Sequence, residues 1–293
     1  MVKKDGFSEN MLVTINQNKM NFKRYISQSI ILTFFSLVAC AQGNNNADPN
    51  NLSDSTKKVL PSNQQETNKN LPVSGASSNP AVSSEITADF LMGKFEYRKH
   101  PDFEKVPSEM SSKDIYIQKK ALASFTQMRN AALKDGVSLT IISGARNFSE
   151  QRGIWERKWE KESAKMKDPK EIALKILLFS SMPSTSRHHW GTDIDINSLE
   201  TSYFRSGKGL KEYNWLNANG PKYGFYQVYT SKEKGRTGYS EEPWHWSYLP
   251  LATDFLAKYN SLIKVEDIKG FKGSETAVTI DVINKYVNGI EKY

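Results

Sequence analysis

The sequence predicts an α+β fold, a single compact domain in which helices flank a small antiparallel sheet with a metal site in a cleft at the sheet. Three observations lead there. Some segments repeat apolar residues at helical spacing, others alternate polar and apolar residues, and the two kinds are mixed along the chain without an internal repeat. Ile117, Ala121, Phe125, Met128 and Ala132 make one helical stripe, which Gly136 closes. Residues 137–142 are a β-rich run, and a second helix is expected from about Ser149 with Glu150 and Gln151 in its first turn. Arg146 then falls on a strand-to-helix loop. A helix is expected over 170–179, before Pro183, and another over 210–216, while 192–197, 224–229 and 244–248 read as strands. On those strands Asp193 and Asp195 share one polar face, and His245 and Ser247 share another. Ile280, Ile283, Tyr286, Val287 and Ile290 predict a terminal helix packed on the domain.

Composition narrows the class. A chain of 293 residues with 38% hydrophobic and 25% charged residues is long enough for its own core. A mean hydropathy of −0.59 excludes a membrane bundle. The single cysteine excludes an internal disulfide. The net charge of +8 suits an acidic partner, but no nucleic-acid-binding module accompanies it.

The amino terminus reads as an address. Lys23 and Arg24 precede an apolar run over 30–39 that is too short to span a bilayer and ends at Cys40. Residues 1–39 are expected to be an export signal, with Met20 a more natural start than Met1. The stretch Leu37-Val38-Ala39-Cys40 resembles the bacterial lipoprotein box, which implies a lipidated Cys40, a membrane anchor and a place in the cell envelope facing the periplasm or exterior. The segment from 41 to about 85 has no aromatic residue and is rich in Asn, Ser, Gln and Pro, the composition of a flexible tether. The expected organisation is therefore signal 1–39, lipidated cysteine and tether 40–87, folded domain 88–260 and helical extension 261–293.

Chemistry concentrates in two short clusters. Of only four histidines, three lie in Ser186-Arg187-His188-His189-Trp190-Gly191-Thr192-Asp193-Ile194-Asp195 and Glu242-Pro243-Trp244-His245, both of which carry acids. A loop histidine, a carboxylate on the next strand and a distant histidine suit a catalytic metal, because two imidazoles and one carboxylate leave zinc an open fourth position. Such a site also needs a carboxylate base that is not a ligand. Glu242 is placed for it, although a regular strand would favour Glu241, which shares the parity of His245. Pro243 gives a local reason for an irregular backbone there. Arg146 is the candidate oxyanion partner. His189 is the spare ligand, and His100 reads as structural. Neither a Gly-x-Ser-x-Gly elbow nor a His-Glu-x-x-His helix is present, and the only cysteine lies in the signal.

Ser186-x-His188-x-x-Gly191-x-x-x-Asp195, Glu242-x-Trp244-His245 and Ser143-Gly144-x-Arg146 with Gln151 resemble the motifs of the VanY-type D-alanyl-D-alanine carboxypeptidases, zinc peptidases of the group that includes hedgehog signalling domains. The resemblance covers roughly 88–260. It implies His188, Asp195 and His245 as ligands of Zn2+, Glu242 as base, Arg146 as transition-state stabiliser, and Ser186 and Gln151 as substrate contacts. It also implies hydrolysis of peptidoglycan stem peptides, most simply release of a terminal D-alanine. The alternatives are an L,D-carboxypeptidase or endopeptidase on the same polymer, or a zinc-bearing domain that binds cell wall or protein without cutting. Asp193 departs from the family pattern, which usually has a small residue there.

Overall fold

A computed structural model describes residues 85–293; the export signal, Cys40 and most of the polar tether lie outside them. After a short helix α1 (Ala88–Leu91), β1 (Phe103–Lys105) and β2 (Tyr116–Gln118) form an antiparallel ribbon. The helix expected from Ile117 starts two residues later as α2 (Lys119–Lys134), because Ile117 is committed to the ribbon opposite Glu104. Its end is as read: Gly136 takes a left-handed φ of +67°, and the amides of Gly136 and Val137 bond the carbonyls of Leu133 and Ala132.

The main sheet follows. β3 (Ile141–Ser143), β4 (Asp193–Ile196), β5 (Phe225–Tyr226) and β6 (His245–Tyr248) lie in the order β3-β4-β6-β5, all antiparallel. The alternation in the sequence decides which way it faces. Ile194, Ile196 and Trp246 point into a core shared with Phe125 and Met128 of α2, Leu139, Ile141 and Phe225. Asp193, Asp195, His245 and Ser247 therefore share the other face. Two predicted strands are shorter than expected. Of 137–142 only the end pairs, and of 224–229 only two residues do, since beyond Tyr226 the buried Gln227 side chain bonds the carbonyls of Tyr229 and Glu242 in place of a ladder.

Four longer helices follow, α3 (Phe148–Ser163), α4 (Pro169–Ile176), α5 (Gly207–Asn219) and α6 (Leu249–Leu262). α3 begins with a capping box between Asn147 and Glu150. The expected terminal helix is broken: α7 (Thr276–Ile280) stops where Asp281 turns left-handed at φ +60°, and a π turn, Ile283–Val287, follows. Ala277, Ile280 and Tyr286 of this extension pack with Trp155 of α3 and Ile172 and Ile176 of α4 in a second core. Among the described residues no helix is long and apolar enough to cross a membrane.

Gly191 links core and site. It closes the turn Arg187–Trp190 at φ +67°, and a Cβ there would stand 2.3 Å from the Phe103 ring. Gly191→Ala therefore carries both a left-handed cost and an overlap, and is expected to lower unfolding free energy by about 2–5 kcal/mol. Denaturant titration checks this; a loss under about 1 kcal/mol would contradict the packing described.

Candidate metal centre and active site

The histidine turn is clasped to the end of β3. His188 Nδ1 lies 2.8 Å from the Gly144 carbonyl oxygen. That oxygen only accepts, so Nδ1 carries the hydrogen and Nε2 keeps its lone pair. The Arg146 amide donates to the His188 carbonyl at 3.1 Å. His189, the spare ligand in the sequence, is not available: Nδ1 donates to the Arg146 carbonyl at 2.7 Å, and Nε2 accepts from the Ser184 amide at 3.1 Å. Burial pushes the His189 imidazolium down to about 3, so it serves as a neutral clamp.

The three sequence-predicted ligands converge. Asp195 stands directly opposite His245 in the ladder, 3.2 Å from Oδ1 to Nδ1, and the same oxygen is 3.5 Å from His188 Nε2. All three ligand atoms lie within 4.8 Å of one another, on buried side chains. Ligands about 2.0–2.1 Å from a tetrahedral zinc stand roughly 3.3 Å apart, so both spacings suit edges of one coordination tetrahedron. The donor set fits as well: two imidazole nitrogens and a carboxylate oxygen suit zinc and leave one position open. Among the described residues no other group of acids, histidines or cysteines is assembled this way.

Asp193 holds the far side of His245. Its Oδ1 is 2.9 Å from His245 Nε2, which leaves Nδ1 turned toward Asp195. Asp193 is fully buried, and Arg187 Nε at 2.9 Å, Thr192 Oγ1 at 2.6 Å and Ser247 Oγ at 3.0 Å satisfy it. Burial alone would raise both carboxyls. Arg187 and His245 outweigh it at Asp193, and His188 and His245 at Asp195, so both are held well below the usual carboxylate range. Burial alone would lower His245, but its hydrogen bonds to the two aspartates raise it to about 9; His188, beside Arg146, is lowered mainly by burial. The departure noted in the sequence is thus an orienting carboxylate behind a ligand, an arrangement known to set the tautomer of metal-binding histidines.

Glu242 resolves the parity problem. The His245 amide donates to the Glu242 carbonyl at 3.2 Å, so residues 242–245 form a turn before β6 begins. That turn brings Glu242 Oε2 to 3.7 Å from His245 Nδ1, while Glu241 lines a separate surface pocket. Burial pushes the Glu242 carboxyl up to about 8 against the pull of His245. Arg146 donates from Nε to Gln151 Oε1 at 3.0 Å and from Nη1 to Ser143 Oγ at 2.6 Å. Gln151 spends its amide nitrogen on the Ser181 carbonyl at 2.8 Å, so it holds the guanidinium in place. Ser186 Oγ is buried without a hydrogen-bond partner. Glu242, Arg146, Gln151 and Ser186 line one cavity of about 530 Å³ with the three predicted ligands, and its wall also includes Trp244 and Tyr229, the latter with its ring centroid 4.5 Å from that of His245. Arg187, Thr192, Ser247 and Tyr229 were not singled out from sequence; only the polar parity of Ser247 pointed at its place.

Residues 114–251 match the family model described as VanY: D-alanyl-D-alanine carboxypeptidase. This segment of the chain is similar to VanY-type domains. A D-alanyl-D-alanine carboxypeptidase of Enterococcus faecium is 30% identical over 181 residues, covering 61% of this chain and 50% of that protein. The chain spans about half the length of the curated relatives it matches. Among solved structures, VanYB in complex with D-alanine-D-alanine is 25% identical, with a TM-score of 0.43 over 57% of this chain and 88% of that one. A variant of the vancomycin-resistance D,D-pentapeptidase VanY in complex with Zn(II) is 26% identical, with a TM-score of 0.41 over 52% and 87%. His188, Asp195, Glu242 and His245 all fall inside the VanY-type segment, and so does Asp193.

Asp193→Asn keeps the shape of the orienting group and removes its charge. Zinc affinity is expected to fall roughly 10- to 100-fold in chelator competition. Unchanged affinity would contradict the role given to Asp193.

Proposed function

We propose that the chain is a zinc-dependent peptidase that releases the terminal D-alanine of peptidoglycan stem peptides. One observation carries the reading: His188 Nε2, Asp195 Oδ1 and His245 Nδ1 converge beside Glu242 in a cavity that Arg146 also lines. The VanY-type motifs and family description support the substrate class. When bound, zinc supplies Lewis acidity at the open position that His188, Asp195 and His245 leave.

The remaining work falls to side chains. Glu242 accepts a proton from the attacking water and then gives it to the leaving amine as the carbon–nitrogen bond breaks. Arg146, fixed by Gln151 and Ser143, stabilises the negative charge that grows on the carbonyl oxygen. Ser186 offers its unpartnered hydroxyl to the substrate backbone.

The second part of the proposal concerns place. A lipidated Cys40 would anchor the chain to a membrane facing the periplasm or exterior, with the polar segment after it joining the anchor to the domain.

Two experiments test these proposals. Glu242→Gln is expected to keep zinc at one per chain while D-alanine release from a defined pentapeptide falls about 10²- to 10⁴-fold; release at the unaltered rate refutes Glu242 as base. Cys40→Ser is expected to move the protein from the membrane to the soluble fraction, and unchanged partitioning refutes lipidation.

A further inference from the structure

The cavity holds one cation that the reaction above leaves unused. Of its basic lining residues, Arg187 has its charge answered by the ion pair with Asp193 and donates to Ser247, its Nη1 alone staying unpartnered, and Arg146 is fixed by Gln151 and Ser143 beside the histidine turn. Lys158 remains. It follows Ile154 by four residues and Gln151 by seven on α3, and all three line the cavity. Lys158 lies two turns, about 10 Å, beyond Gln151, and helical side chains lean back toward the N-terminus, here toward Arg146. Its ammonium donates to Ser180 Oγ, and among the described residues no carboxylate is in ion-pair contact with it. The only acids that line the cavity are Asp195 and Glu242 of the catalytic set, and Glu200, which is exposed at the mouth.

A half-buried ammonium without an anion is an incomplete site. Burial lowers the Lys158 pKa, with Arg146 acting in the same direction and Glu242 opposing, so the three groups share one field. Peptide cleavage at the last residue presents two negative centres one residue apart: the oxygen that develops at the scissile carbonyl and the terminal carboxylate beyond it. Arg146 sits beside the metal ligands and serves the first. The buried and unpartnered Ser186 hydroxyl independently marks the cavity as built for a polar ligand.

We propose that Lys158, seated by Ser180, receives the free terminal carboxylate of the substrate peptide and so makes the cleft select last-residue cleavage over internal bonds. The inference rests on the peptidase reading for the identity of its ligand, but its test does not depend on turnover. A charge-assisted bond to a carboxylate contributes tenfold or more in affinity in a partly desolvated site.

The experiment measures equilibrium binding to the zinc-loaded full-length Glu242→Gln protein. Its ligands are a tripeptide ending in D-Ala-D-Ala as the free acid and the same peptide as the C-terminal amide. The acid is expected to bind at least tenfold more tightly. Adding Lys158→Met is expected to weaken the acid alone and bring the two within threefold, the amide serving as the control for folding. Equal binding of acid and amide before that substitution, or a tenfold preference that survives it, overturns the proposal. A Lys158-dependent preference in a protein whose unsubstituted form cuts no peptide would sink the peptidase reading and leave the carboxylate site standing.

Discussion

The register between β4 and β6 governs the site. It sets Asp195 opposite His245 and Asp193 opposite Ser247, with Asp193 diagonal to the His245 ring. Because side chains alternate along a strand, a slip of one residue would turn both aspartates into the core and expose Ile194 and Ile196. The packing of Ile194, Ile196 and Trp246 against α2 therefore fixes the ligand geometry as firmly as it fixes the fold.

The buried charges of Asp193 and Asp195 are tolerated because each has cationic or hydrogen-bonding partners. Removing one partner from a buried ion pair typically costs 3–5 kcal/mol, so Arg187 and Asp193 stand or fall together. At the ligand cluster the compensation is protonic: the hydrogen bonds that His245 donates to the two aspartates raise it to about 9, and a bound cation competes with that proton. Glu242 stands apart, since burial raises its carboxyl and it belongs to a turn rather than to the ladder.

Much of this arrangement was legible in the residues. Strand alternation puts Asp193 and Asp195 on one face, and the spaced motifs point to His188, Asp195 and His245, which the structure brings together. The resemblance preferred Glu242 over Glu241, and the hydrogen bond closing residues 242–245 supplies the physical reason, which periodicity cannot show. The start of α2 was misplaced because Ile117 satisfies helix and strand patterns alike, and ribbon pairing decides between them. The broken terminal helix depends on the left-handed turn at Asp281, which an apolar stripe does not reveal. Lys158 gave no sequence signal at all: a lysine on an amphipathic helix reads as solvated, and only the cavity shows what it faces.

The most direct test of the metal centre is anomalous scattering at the zinc edge from crystals of the zinc-loaded protein. The account predicts one strong peak about 2.0–2.2 Å from His188 Nε2, Asp195 Oδ1 and His245 Nδ1, with Asp193 still bonded to His245 Nε2. A peak coordinated by Asp193 or His189, or no peak among these side chains, would contradict it.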